Sequence, residues 1–250
     1  MPNRTHHLQS FGITDIGLVR EHNEDTWAAY PEHRLFILAD GMGGHLAGEI
    51  ASKESADHLY SLFVEWNPSL KTTVDEAKVF FKNAFVRVNS WIYEQGEGDE
   101  ELKGMGTTLC SLFIHQAWAV LTHVGDSRIY RFRGSKLDQL TEDHTLVSEL
   151  ISLGAMKSEE SESFPYKHIL TRAIGTHAKV EPTLNIVSVE PSDVFLLCSD
   201  GMTNYVGVEQ MEEILQKKAS LARKAQNLVD LAIEQGGGDN ITLILVQQNA

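Results

Sequence analysis

The chain has 250 residues, 35 acidic against 21 basic side chains and a formal net charge of −14, a balance that argues against broad nucleic-acid binding, which needs a basic surface. The length suits one large domain or two small ones, with ample chain for a core. No apolar stretch is long enough to span a bilayer, and the start, MPNRTHHLQSFG, lacks the apolar centre of a signal peptide, so no membrane partner and a cytoplasmic location are expected. Cys110 and Cys198 lie inside apolar, strand-like runs, the pattern of buried free thiols rather than of a disulfide framework.

In chain order, Leu8–Thr14 reads as an edge-type strand and Asp15-Ile16-Gly17 as a turn, followed by the charge-dense stretch GLVREHNEDTW (Gly17–Trp27). Thr26–Tyr30 and Arg34–Asp40 read as a hairpin across Pro31-Glu32-His33. A helix is expected over about Ala47–Trp66, with Ile50, Leu59, Leu62, Phe63 and Trp66 on one face, stopped by Pro68. A second helix opens on Thr73-x-x-Glu76, a capping-box pattern. It carries Val74, Ala77, Phe81, Ala84, Phe85, Val88 and Ile92 as its apolar stripe, with Gly96 as a C-cap. Three strands, Thr107–His115, Ala117–His123 and Arg128–Phe132, read as an antiparallel meander because their links are short, which puts Asp126 at a hairpin tip. Asp143–Leu153 reads as a short helix ended by Gly154, and Gly154–His168 as a solvated acidic loop placed to act as a surface flap. Leu184–Val189 and Val194–Ser199 read as a further hairpin. Helices over about Val208–Lys218 and Ser220–Gln235 and a last strand, Thr242–Gln247, close the chain. Neither repeat nor linker interrupts it, so one domain over residues 1–250 is expected. Helix pairs that interrupt antiparallel strands need sheets to cover, and two packed sheets with a helix pair on each outer side would satisfy them.

Three acidic positions share one setting. LFILADGMGG (Leu35–Gly44) ends a continuous apolar run on Asp40, and VFLLCSDGM (Val194–Met202) does the same on Asp200. GGGDNITLILV (Gly236–Val246) places Asp239 just before an apolar run. If the last strand runs antiparallel to the other two, the three carboxylates meet at one end of a sheet. Charges held that close repel strongly unless cations lie between them. Oxygen ligands, with Asp126 and a backbone carbonyl near Gly41 added, suit magnesium or manganese rather than zinc or copper. Two such ions can hold a phosphate for in-line attack by a shared hydroxide. A lone Asp-Gly is usually a turn, and Gly41–Gly44 lacks the GK[ST] of a nucleotide loop. Arg20 is either a surface residue or a phosphate clamp. His123 reads as a satisfied core residue, whereas His45 and His144 stay open as proton donors. No arginine lies six residues after either cysteine, so a thiolate phosphatase loop is absent.

The motifs GLVREHNED, LFILADGMGGHLAGEIAS, GMGTTL, HVGDSRIYRF, LTEDHTLV, ILTRAIGT, FLLCSDGMTN and GGGDNITLILV, in this order over nearly the whole chain, resemble those of the metal-dependent type 2C (PPM) serine/threonine protein phosphatases, the compact bacterial members above all. The resemblance implies a four-layer α-β-β-α sandwich and a dinuclear Mg2+ or Mn2+ site between the sheets. In it Asp40 bridges the ions, Gly41 gives its carbonyl to one, and Asp200 and Asp239 hold the other. Asp25 stands near the metal waters, Arg20 binds phosphate, and Asp126 with Asp200 can hold a weaker third ion. Ser148–His168 falls at the family's flap. It implies hydrolysis of phosphoserine and phosphothreonine in proteins by direct attack of a metal-bridging hydroxide, with a cognate serine/threonine kinase as partner. Met42 stands where animal members have a histidine, which leaves His45 or a metal-bound water as leaving-group acid. The alternatives are a binding module on the same fold with catalysis lost and a two-metal nuclease. The full set of aspartates argues against the first and the negative charge against the second.

Overall fold

The computed structural model describes residues 8–43 and 46–248. In chain order, β1 (Leu8–Asp15), β2 (Asp25–Tyr30) and β3 (Leu35–Met42) lead into helices α1 (Leu46–Trp66) and α2 (Val74–Gly98). Strands β4 (Gly106–Thr107), β5 (Leu109–His115), β6 (Trp118–Val124), β7 (Arg128–Arg133) and β8 (Lys136–Gln139) follow, then α3 (Leu146–Ser152) and a 3-10 turn over Ser158–Ser163. Strands β9 (Thr183–Ser188) and β10 (Val194–Cys198), the one-turn helix α4 (Asp200–Thr203), helices α5 (Val208–Gln216) and α6 (Leu221–Glu234), and β11 (Ile241–Gln248) complete the chain.

The strands form two antiparallel sheets. One runs β1-β11-β10-β7-β8, with β1 at its edge as the sequence suggests, and the other runs β2-β3-β5-β6-β9, with β4 added at the end of β3. Three apolar layers hold the sandwich together. Phe36, Leu38, Leu112, Leu197 and Ile244 fill the space between the sheets. Leu59, Phe63, Phe81, Phe85 and Ile37 pack α1 and α2 on one outer face, and Leu196, Leu215, Leu228 and Leu245 pack α5 and α6 on the other. Each such side chain contributes roughly 1.5–3 kcal/mol by leaving water. Apart from Val74 at the start of α2, which stays outside the core, the stripes expected on α1, α2, α5 and α6 are the faces that pack against the sheets. The capping box of α2 is present, with the Thr73 side chain accepting from the Glu76 N–H and the Glu76 carboxylate accepting from the Thr73 N–H at 2.8 Å.

Several connections differ from the sequence reading. Leu184–Val189 and Val194–Ser199 are not a hairpin: β9 pairs with β6 in one sheet and β10 lies between β11 and β7 in the other. Val194–Cys198 is buried throughout and needs a central place, whereas β9 is half-buried and takes an edge. The meander is broken in the same way. β5 and β6 pair, but β7 joins the opposite sheet, so Gly125-Asp126-Ser127 is a bridge between sheets and not a hairpin tip. Packed sheets lie about 10 Å apart and extended chain covers about 3.3–3.6 Å per residue, so three linking residues suffice. Gly96 is not a C-cap, because α2 continues to Gly98 and is capped at Asp99. A Cβ at Gly96 would approach the Leu102 carbonyl, and this close return of the loop is what a glycine permits there. Strand β8 lies in a stretch with no element assigned from sequence. Among the described residues no helix is long and apolar enough to cross a membrane.

Candidate active site

The carboxylates meet at one end of the sandwich, but not on one sheet. Asp40 comes from the end of β3, while Asp200 and Asp239 flank β10 and β11 in the facing sheet. Asp126 sits on the link that crosses between the sheets. Asp40, Gly41, Asp126, Asp200, Asp239 and Arg20 all line one cleft of about 990 Å³. Asp25 lies behind it, directly opposite Asp40 in the β2–β3 register. Like charges at opposed strand positions destabilise a sheet, so this pairing costs stability unless something positive or a proton intervenes.

Local hydrogen bonds explain how each group is held. The Asp40 N–H donates to Thr108 Oγ1 at 3.0 Å, and its carbonyl accepts from the Thr108 N–H and Thr107 Oγ1, both at 2.8 Å. Asp200 opens α4, and one of its oxygens accepts from Asn204 Nδ2 at 3.1 Å. Asp239 accepts its own neighbour's N–H, from Asn240, at 2.8 Å and the Arg20 guanidinium at 2.7 Å. Asn240 was not singled out from sequence, yet its amide organises the loop that carries Arg20. It donates to the carbonyls of Ile16 and His22, each at 3.0 Å, and accepts from the Glu24 N–H at 2.8 Å. Its place directly after Asp239 is the one signal that could have drawn attention to it.

The electrostatics are those of an acidic cluster in which Arg20 pairs with Asp239 while the other carboxylates are buried near one another. Burial pushes Asp25 up to about 7, with Asp200 and Asp239 adding to it against the hydrogen bond from Ser199. Burial and then Asp25, Asp200, Asp126 and Asp239 raise Asp40 well above the ordinary carboxylate range. Asp126 rises to about 7 through burial, Asp200 and Asp143, and Asp200 rises through burial and Asp239. Glu24, also in the cleft wall, is raised chiefly by burial.

These residues fit divalent cations. Asp25 Oδ2 accepts from Ser199 Oγ at 2.8 Å, but its buried Oδ1 has no hydrogen-bond partner, and orphaned buried oxygens are rare without an ion or water to meet them. A Cβ at Gly41 would collide with the Gly48 and Glu24 carbonyl oxygens, so glycine alone lets the backbone pass the cleft wall here. Among the described residues no three His, Cys, Asp or Glu side chains close into a compact cage. The acids stand around the cleft instead, an arrangement suited to ions that keep several waters.

The histidines divide. His123 is a satisfied core residue, its Nε2 2.8 Å from the Glu142 carbonyl. His144 is not available as a proton donor. The Gly125 N–H donates to its Nδ1 at 3.2 Å, its Nε2 lies 2.9 Å from Thr183 Oγ1, and burial with His123 and Arg172 pulls it down to about 3. His45 lies outside the described residues, whereas His22 and His168 line the cleft. The segment expected as a flap is pinned at its base, where the Leu146 N–H donates to the Ile169 carbonyl at 2.9 Å and the Thr171 N–H to that of His144 at 2.8 Å. Both cysteines are free and buried, and burial pushes Cys198 up to about 12 and Cys110 further up, so neither is a nucleophile.

A family model described as protein phosphatase 2C matches residues 19–234. Serine/threonine phosphatase stp of Listeria innocua serovar 6a is 41% identical over 239 residues, covering 94% of this chain and 94% of its own. The solved structure of the S. agalactiae serine/threonine phosphatase superposes with a TM-score of 0.89 at 36% identity, covering 97% of this chain and 100% of the other. The catalytic domain of the serine threonine protein phosphatase PstP, in complex with 2 manganese ions, superposes with a TM-score of 0.84 at 37% identity, covering 97% and 99%.

Proposed function

The chain belongs to the protein phosphatase 2C family, and from that membership we propose how its residues share the hydrolysis of phosphoserine and phosphothreonine side chains. It is a metal-dependent serine/threonine phosphatase. Asp40, Asp200, Asp239 and the Gly41 carbonyl would hold two Mg2+ or Mn2+ ions, and Asp126 with Asp200 a weaker third. When bound, such ions supply an activated water for in-line attack and neutralise charge on the phosphoryl oxygens. Asp25, fixed by Ser199, faces Asp40 from behind and orients the ligand set. Arg20, steadied by Asp239 and by the loop that Asn240 holds, presents its remaining guanidinium donors to the phosphate. The buried thiols rule out a cysteinyl phosphoenzyme, and direct attack by water needs no covalent intermediate.

The observation that carries this reading is the convergence on one cleft of four aspartates, Asp40, Asp126, Asp200 and Asp239, and Arg20, with an unpartnered Asp25 oxygen behind them. Residues 1–250 act as one phosphatase domain in the cytoplasm, and Ser148–His168, whose last two residues Lys167 and His168 line the cleft, serves as a flap over the substrate. The phosphoester it removes requires an ATP-using serine/threonine kinase in the same compartment. The test is phosphate release from a phosphothreonine peptide with manganese and with chelator. The wild type is expected to be active only with the ion, and Asp200→Asn to lose most of that activity. Near-wild-type turnover by Asp200→Asn would defeat the assignment.

A further inference from the structure

A pair of buried hydroxyls joins the two segments that carry Asp40 and Asp126. The β3–β5 ladder pairs Leu35–Leu38 with Cys110–Phe113, and the same register resumes where β4 pairs Gly41 with Thr107. Between them the Thr108 N–H donates to the Asp40 carbonyl, but the Asp40 N–H finds its acceptor in the Thr108 side chain, at 3.0 Å. The same Oγ1 lies 2.7 Å from the Oγ of Ser127. Thr108 and Ser127 are 2% and 1% exposed; Thr108 borders the cleft wall, but its hydroxyl is engaged by the Asp40 N–H and by Ser127. Ser127 follows Asp126 directly on the link between the sheets. Gly125, on its other side, has a φ of +102° and packs its backbone against the Thr108 methyl group. The link is gripped from its own side as well, by His144 on the Gly125 N–H and by the Arg128 guanidinium, whose Nε and Nη2 bind the Asp143 carboxylate at 3.0 and 2.7 Å. Thr108 is thus the side chain through which this clamped link meets the strand end bearing Asp40.

We propose that Thr108 and Ser127 are positioning residues that set the spacing between the Asp40 and Asp126 carboxylates, so that the divalent ions held on the two sides of the cleft bind as a coupled set. The proposal rests on the metal-ion reading given above. A hydroxyl at position 108 is required because one oxygen must accept the Asp40 N–H and also bond Ser127. Valine keeps the shape and loses both bonds, which leaves the Asp40 N–H and the Ser127 hydroxyl unpaired in a buried place. Serine keeps both bonds and loses a methyl group. Removing the Ser127 hydroxyl leaves the Asp40 contact in place and frees only the link that carries Asp126. Groups that orient metal ligands in this way are typically worth roughly 10–100-fold in metal affinity.

The test is Mn2+ binding, followed by the electron paramagnetic resonance of free Mn2+ and by calorimetry, with no substrate present. Thr108→Val is expected to weaken both the tight and the weak classes of site by roughly 10–100-fold, and Thr108→Ser to restore wild-type binding of both. Ser127→Ala is expected to weaken the weak class as Asp126→Asn does and to spare the tight class. Thr108→Val binding Mn2+ like the wild type, or Thr108→Ser failing as the valine variant does, would overturn the proposal. If Thr108→Val does not fold, Ser127→Ala decides alone, and wild-type binding in both classes by that variant refutes the coupling. A wild type that binds no Mn2+, or an Asp200→Asn protein that binds it undiminished, would instead bring down the ion-site reading itself.

Discussion

Replacing Asp25 by asparagine is expected to stabilise the metal-free protein, the reverse of what a substitution at a buried, hydrogen-bonded position usually does. Asp25 is held near 7 against an ordinary 3.8, mainly by burial. Its folded-state value is the higher one, so its contribution favours the fold fully below 3.8 and is lost as the pH rises through about 7. At about 1.36 kcal/mol per pH unit, the gap between 3.8 and about 7 is about 4 kcal/mol at pH 8. Asparagine carries no charge and avoids that cost. Its carbonyl can still accept from Ser199, and its amide can donate toward Asp40, the opposed residue in the register. For a chain of this length about 1 kcal/mol moves the melting point by roughly 2–4 °C, so Asp25→Asn in chelator at pH 8 should melt roughly 10 °C above the wild type. The gap should shrink toward acid, where the wild-type carboxyl takes up its proton. Saturating Mn2+ should narrow or invert the order, because bound ions stabilise the intact ligand set by about 2.7 kcal/mol at a hundredfold excess over Kd. Scanning calorimetry with chelator and with Mn2+, at about pH 8, 6.5 and 5, measures all of this. An asparagine variant that melts at or below the wild type in chelator at pH 8 would refute the electrostatic reasoning.

Arg20→Ala should lower kcat/KM for a phosphothreonine peptide by roughly 10–100-fold, the value of one or two charged hydrogen bonds to phosphate, while Mn2+ affinity stays within a few-fold; unchanged peptide kinetics would remove Arg20 from phosphate binding. Thr73→Ala deletes the capping box of α2, far from the cleft, and should cost about 1 kcal/mol in thermal unfolding without changing turnover. A loss of activity that outpaces the loss of stability would contradict a purely structural role for that cap.

The acidic triad was legible because each member ends or begins an apolar run, a signal carried by neighbouring residues. The capping box and the stripes of α1, α2, α5 and α6 were legible for the same reason. Which sheet a strand joins was not. A link of three to five residues serves a hairpin or a crossing between packed sheets equally well, and β7 and β10 were assigned to the wrong partners on that account. Depth of burial held the missing information, since Val194–Cys198 is apolar at every position and demands a central place. The hydrogen bonds of Asn240 to Ile16, His22 and Glu24 span more than two hundred residues, and no local pattern announces them. His144 drew notice as a proton donor because it lies near the acidic loops, yet its imidazole is spent on Gly125 and Thr183 inside the core. Asp25 Oδ1 shows the complementary case, where a motif position was legible but its unpaired, buried state became visible only in three dimensions.

The central claim is that Asp40 from one sheet and Asp200 and Asp239 from the other enclose divalent cations. Anomalous diffraction at the manganese edge from crystals grown with Mn2+ tests it most directly. The account predicts two strong peaks in the cleft among Asp40, the Gly41 carbonyl, Asp200 and Asp239, with a weaker one beside Asp126. A well-ordered cleft with no anomalous density among these side chains at saturating Mn2+ would contradict it.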